Sequence, residues 1–81
     1  MSSTQKFKYQ GTVLKVAIPS PLRSLFDYLP DESSVESSIK PGMRVKVNFG
    51  KRKLVGAVVR LEKGSTLSRN KLKPVTAVLD S

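Results

Sequence analysis

The side chains whose types and spacing could do chemistry fall into two sets. The first is cationic: Arg44 and Lys46, then the run Lys51-Arg52-Lys53, then Lys71 with Lys73. A lysine taken alone is solvated surface charge. A cluster on a turn and the strand before it is a candidate polyanion surface, because each cation that neutralises a phosphate adds ~0.7 to ~0.9 to the slope of log affinity against log salt. The second set is Phe26-Asp27-Tyr28, a carboxylate between two aromatics in a cationic chain. The aromatics suit either a core strand or a platform for a base, a contact worth roughly 1–3 kcal/mol. Phosphate repels a carboxylate, so near a nucleic-acid path Asp27 suits a hydrogen-bond donor such as a base amine or a free terminal hydroxyl.

Composition narrows the chemistry further. The 81 residues include no cysteine and no histidine, which excludes disulfide scaffolds, zinc fingers, thiol nucleophiles and imidazole bases. With only six acidic residues, metal-dependent hydrolysis or phosphoryl transfer is not expected, and no cofactor or metal is implied. Gly50-Lys51 imitates the end of a phosphate-binding P-loop, but Val45 and Arg52 stand where that loop needs glycine and Ser or Thr. The net charge of +9 is uneven: residues 1–40 carry five basic and four acidic side chains, and residues 41–81 ten and two. That asymmetry points to a basic face and a polyanionic partner. Nucleic acid fits better than a membrane, since neither a basic amphipathic helix nor a long apolar run is present. Met1–Gln10 is polar with no apolar signal-peptide core, so a cytoplasmic setting is expected.

These side chains must be positioned by short strands. The length allows one small domain. Residues 1–11 read as a flexible leader and 12–81 as the folded unit. Thr12–Ile18 is β-branched and ends at Pro19, and Leu25–Leu29 is a second short strand closed by Pro30. Asp31–Ile39 is Ser-rich and acidic, a solvated loop or weak helix, and Lys40-Pro41-Gly42 is a turn. In Arg44–Phe49, Val45, Val47 and Phe49 alternate with Arg44, Lys46 and Asn48, a strand with an apolar inner and a cationic outer face. A basic hairpin-like turn leads to Leu54–Leu61, where Gly56 signals a bulge or a close backbone approach. Glu62–Lys71 reads as a polar loop. Lys73–Leu79 reads as a fifth strand with Val75, Ala77 and Leu79 on one face, and Pro74 confines it to an edge or delays its start. The expectation is an all-β protein, a small antiparallel OB-like barrel or half-open sheet of about five strands.

Several strings then acquire a joint meaning. Val16-Ala17-Ile18-Pro19-Ser20-Pro21-Leu22, Phe26-Asp27-Tyr28-Leu29, Pro41-Gly42-Met43-Arg44-Val45-Lys46-Val47 with Phe49-Gly50, Gly56, and Leu72-Lys73-Pro74-Val75 follow one another in the order found in one family. In them the chain resembles the N-terminal domain of the PriA replication-restart helicases, from about Val13 to Leu79. The resemblance implies an OB-like domain that binds the 3′ end of the leading strand at a stalled fork. It implies a pocket of Phe26, Asp27, Gly50 and Lys73, in which the carboxylate meets the 3′-hydroxyl and terminal base and glycine lets the nucleotide approach. Arg44, Lys46, Lys51, Arg52, Lys53 and Lys71 are the residues expected along the DNA backbone. Helicase motifs and zinc-binding cysteines of the longer family proteins are absent, so the chain reads as an excised, non-enzymatic, monomeric domain. Single-strand-binding protein and other primosome proteins would be partners through the parent helicase.

Two points stay open at this level. Adjacent strand residues point to opposite faces, so Phe26 and Asp27 share a pocket only if the backbone bends or the ring forms a wall behind it. Two other functions also fit the cationic pattern: an RNA-binding or ribosomal-type basic β-barrel, and an interaction module docking an acidic tail of a replication partner.

Overall fold

A computed structural model describes residues 7–20, 24–31 and 39–79. It is built from strands and one short 3₁₀ turn: β1 (Tyr9–Ala17), β2 (Leu25–Leu29), β3 (Arg44–Phe49), β4 (Arg52–Ser65), the 3₁₀ turn (Arg69–Lys71), β5 (Lys73–Pro74) and β6 (Ala77–Val78). The six strands form one sheet in the order β5-β2-β1-β4-β3-β6. Among the described residues no helix is long and apolar enough to cross a membrane. The all-β, OB-like expectation holds. Most of the Ser-rich acidic segment lies outside the described residues.

Several boundaries differ from the sequence reading, because partner strands supply hydrogen bonds. The expected turn Gly50-Lys51-Arg52-Lys53 is shorter: β4 begins at Arg52, and Arg52 and Lys53 pair with Phe49 and Asn48. β1 begins at Tyr9, inside the expected leader, where it pairs with Ser65. The same pairing extends β4 to Ser65, so the first residues of the expected Glu62–Lys71 loop are strand. The expected fifth strand is two strands on opposite edges of the sheet. β5 runs parallel to β2 (Tyr28 beside Lys73), and β6 runs antiparallel to β3 (Val45 beside Val78). The switch falls between adjacent residues: the Val75 amide donates to the Leu29 carbonyl at 2.9 Å and the Thr76 amide to the Lys46 carbonyl at 2.8 Å. One face therefore does not continue through the segment; Val75 is buried whereas Leu79 is 40% exposed. Pro74, which has no amide to give a ladder, does sit on an edge strand. By joining β5 to β6 the chain ties the two sheet edges together, and the sheet curls toward a barrel.

Local chemistry supports that curl. Gly50-Lys51 is a two-residue hairpin loop between Phe49 and Arg52, with φ +62° at Gly50 and no positive φ at Lys51, the type II′ pattern that matches strand twist. At Lys40-Pro41-Gly42, the Met43 amide donates to the Lys40 carbonyl at 3.2 Å and Gly42 has φ +94°, a type II turn. The β1–β4 register shifts twice, and at the second shift Val59 is the extra residue. Such bulges bend a sheet and increase its twist. Gly56 is a close approach: a Cβ there would stand 2.6 Å from Val16 Cγ1 and 2.7 Å from the Ala17 carbonyl oxygen.

The barrel interior is filled by Leu14, Val16, Ile18, Tyr28, Ile39, Val45, Val47, Val58 and Val75, with Phe26 and Phe49 packed against them. Val45 and Val47 are fully buried while Arg44 and Lys46 are exposed, as their alternation requires. A second, smaller cluster of Val13, Leu29 and Leu72 lies on the other face of β1 and β2, with Tyr9 against it. The stretch from Thr66 to Leu72 thus covers the outside of these strands.

Two expected outcomes follow from the packing. Gly56→Ala forces strand β4 away from β1 and should lower stability by about 1–3 kcal/mol, read as a reduced denaturant midpoint at unchanged slope. Tyr28 donates its Oη–H to the Asn48 carbonyl at 2.8 Å, and burial pushes its phenol above the ordinary value of 10.0. Its folded state holds the proton more tightly than its unfolded state, so the contribution is complete below the unfolded value and fades as pH rises through the folded one. Ultraviolet titration of a Tyr9→Phe chain, which leaves Tyr28 as the only tyrosine, should give a midpoint above 10.0. A midpoint at the free-tyrosine value would contradict the burial.

Candidate functional site

β5 pairs only with Tyr28 and Leu29 at the end of β2, and β6 only with Val45 and Lys46 at the start of β3. The remaining edges, Leu25–Asp27 and Val47–Phe49, approach each other across a seam bridged by side chains rather than by a strand ladder. Phe26 meets Phe49 edge-to-face, with ring centroids 4.9 Å apart and planes at 76°. The Tyr28–Asn48 hydrogen bond crosses the same seam at 2.8 Å.

A cavity of about 210 Å³ opens here. β2 contributes Phe26, Asp27 and Tyr28; the end of β3 and its turn contribute Asn48, Phe49 and Gly50; the returning chain contributes Leu67, Lys71 and Lys73. Three consecutive strand residues can line one space because it lies along the strand edge, where both faces are reached. Phe26 therefore needs no backbone bend: its ring is the inner wall, held by Phe49, while Asp27 reaches the cavity from the outer face.

Asp27 is held firmly. Lys15 Nζ donates to one carboxylate oxygen at 2.6 Å and Ser65 Oγ donates to the other at 2.5 Å, with the Asp27 side chain only 9% exposed. A carboxylate offers about four acceptor positions. Lys15 and Ser65 take two of them, which leaves capacity for a further donor in the cavity. Gly50 has open space around its Cβ position, so no protein contact requires glycine there. Its left-handed φ of +62° does, and the missing side chain keeps that wall of the cavity low.

The cations divide into groups. Lys71 and Lys73 line the cavity, and Lys51 and Arg52, exposed, follow Gly50 on its turn. Arg44, Lys46 and Lys53 lie on the outer face of β3 and β4, in register with Ala57, Val55 and Asn48. None of these three lines the cavity, although Asn48 joins their face to it. Arg60 is paired with Glu62 at 2.6 Å. Among the described residues no group of His, Cys, Asp or Glu could hold a metal ion.

All four residues expected in the pocket, Phe26, Asp27, Gly50 and Lys73, lie around this cavity, with Lys71 beside them. Sequence reasoning missed Asn48, Phe49 and Leu67 in the cavity wall and Lys15 and Ser65 beside Asp27. Lys15 does leave a signal, a lone cation inside the apolar run Thr12–Ile18. Ser65 leaves none, since it meets Asp27 across 38 positions of chain.

Comparison with known proteins bears on the family of the chain. The model of a family described as the 3′ DNA-binding domain (3′BD) of PriA matches residues 15–81. The replication restart protein PriA of Haemophilus influenzae is 39% identical over 69 residues, covering 84% of this chain and 9% of that protein. PriA of Bacillus subtilis is 45% identical over 56 residues, covering 68% of this chain and 7% of its own. The chain thus spans less than a tenth of the length of either relative. With the family model matching residues 15–81, from within β1 through β6, this chain belongs to the PriA 3′ DNA-binding domain family.

Proposed function

We propose that the cavity between β2 and β3 receives the free 3′-terminal nucleotide of a DNA strand, without base-sequence preference, and so positions a replication-restart helicase on a stalled fork. The observation that carries the reading is the immobilised Asp27 carboxylate in an apolar cavity rimmed by Lys71 and Lys73. A 3′-hydroxyl can donate to that carboxylate, whereas a 3′-phosphate would bring negative charge against it. Phe26 and Phe49 offer an aromatic wall to the sugar or base, and Gly50 leaves room for the backbone to approach. Lys71 and Lys73 are placed to meet the last phosphates. Lys51 and Arg52, and beyond them Lys53, Lys46 and Arg44, extend a cationic path for the strand behind the terminus.

The role is binding rather than catalysis; unwinding in such a helicase would belong to domains outside this chain. Single-strand-binding protein and other primosome components would then be reached through those domains. The domain would act as a monomer in the cytoplasm, at the nucleoid.

The test is anisotropy binding of one labelled oligonucleotide ending in either a 3′-hydroxyl or a 3′-phosphate, at several salt concentrations. The hydroxyl end should bind more tightly. Asp27→Ala should lose that preference and keep its salt dependence. The double variant Lys51→Ala, Arg52→Ala should keep the preference and flatten the single-strand salt slope by about 1.4 if both cations contact phosphate. Equal binding of the two ends by the unaltered chain would defeat the 3′-end reading and favour a basic RNA-binding barrel, or an acidic-peptide site if nucleic acid binds weakly.

A further inference from the structure

We propose that Ser65 is a positioning residue of the cavity, acting on the terminal nucleotide only through Asp27; the inference rests on the 3′-end reading above. Ser65 is the one buried polar residue among the described residues, at 1% exposure. Its hydroxyl makes two bonds of fixed direction. An amide can only donate, so the Leu67 N–H gives its proton to Ser65 Oγ, at 3.0 Å. The hydroxyl then spends its single proton on Asp27 Oδ2, at 2.5 Å. The result is a relay, amide to hydroxyl to carboxylate, that joins the end of β4 to β2.

Both ends of the relay face the cavity. Asp27 supplies its acceptor and Leu67, 40% exposed, supplies an apolar wall. With Ser65 on Oδ2 and Lys15 on Oδ1, the carboxylate plane cannot swing freely, and its unused acceptor positions keep one orientation. Lys15 balances its charge, so the pair adds little net repulsion to an approaching DNA strand. The Ser65 backbone is anchored independently, its carbonyl accepting from the Lys8 amide at 2.9 Å. Removing the hydroxyl therefore releases the carboxylate and the Leu67 amide while leaving the strand pairing in place.

The experiment is a double-mutant cycle on the ratio of affinities for 3′-hydroxyl and 3′-phosphate ends, with salt slope and thermal midpoint measured alongside. Ser65→Ala should lower the ratio by about tenfold, the scale of one hydrogen bond to a charged group, with the salt slope unchanged. In an Asp27→Ala background the same substitution should not move the ratio. A merely structural serine would weaken both ends equally, in both backgrounds, and that outcome overturns the proposal. Should Ser65→Ala not fold, Lys15→Met and Lys15→Arg probe the other oxygen of the same carboxylate: Met should lower the ratio and Arg should keep it. Equal ratios in those two variants would also overturn the positioned-carboxylate argument. An unaltered chain without end preference would instead sink the 3′-end reading itself, whereas a preference that survives Ser65→Ala would sink the role of Ser65 alone.

Discussion

Two successive amides, those of Val75 and Thr76, donate to carbonyls on opposite edges of the sheet, Leu29 on β2 and Lys46 on β3. Nearly everything else depends on this split. A strand that continued along either edge would leave the other open, and the sheet would remain a flat sheet with exposed hydrogen-bonding groups, an aggregation hazard. Passing from one edge to the other, the chain closes the sheet over Val75 and the inner side chains of β3. Because each edge is paired over only two residues, the closure is partial. The cavity is what the ladder leaves uncovered.

That origin explains why the site mixes groups that a regular strand would separate. Along a paired strand, Phe26 and Asp27 face opposite media; along an unpaired edge, both border the same gap. The gap is also the place where a charged group can be kept without full desolvation. Asp27 lies on the outer face of β2, covered by the stretch after β4, and its charge is met by Lys15 and Ser65. In a chain of net charge +9, a carboxylate so arranged is a local exception to a positive field, and it sits where the cationic rim begins. On the proposed reading, a strand of DNA would be drawn by the field and stopped by the exception, so attraction and end recognition would come from different side chains.

The legible parts of this protein were the local ones. Val45, Val47 and Phe49 announced a strand by alternation, Gly50-Lys51-Arg52-Lys53 a hairpin-like turn that proved to be the first two residues alone, and Lys40-Pro41-Gly42 a turn, since each depends on neighbours within a few residues. Gly56 was read as a close approach or a bulge, and it is the former, pressed on Val16 and Ala17. The pocket positions Phe26, Asp27, Gly50 and Lys73 were implied by resemblance and do gather around one cavity. The misread segments were those whose partners lie far along the chain. Glu62–Ser65 has loop-like composition and is strand because Tyr9–Val13 lies beside it. Lys73–Leu79 has the pattern of one strand and is divided between two.

By itself, then, the amino-acid sequence determined an all-β domain, the inward-facing residues of β3, the places of its turns and a cationic surface suited to a polyanion. It also carried a family likeness strong enough to point to DNA ends. Tertiary structure alone decided which edge each amide of the terminal segment would serve, where the barrel would stay open, and that Lys15 and Ser65 would hold Asp27. The physical reason is range. Periodicity, turn geometry and charge are set by adjacent residues, whereas a backbone hydrogen bond or a buried ion pair is chosen by whichever distant partner the closed sheet brings within 3 Å.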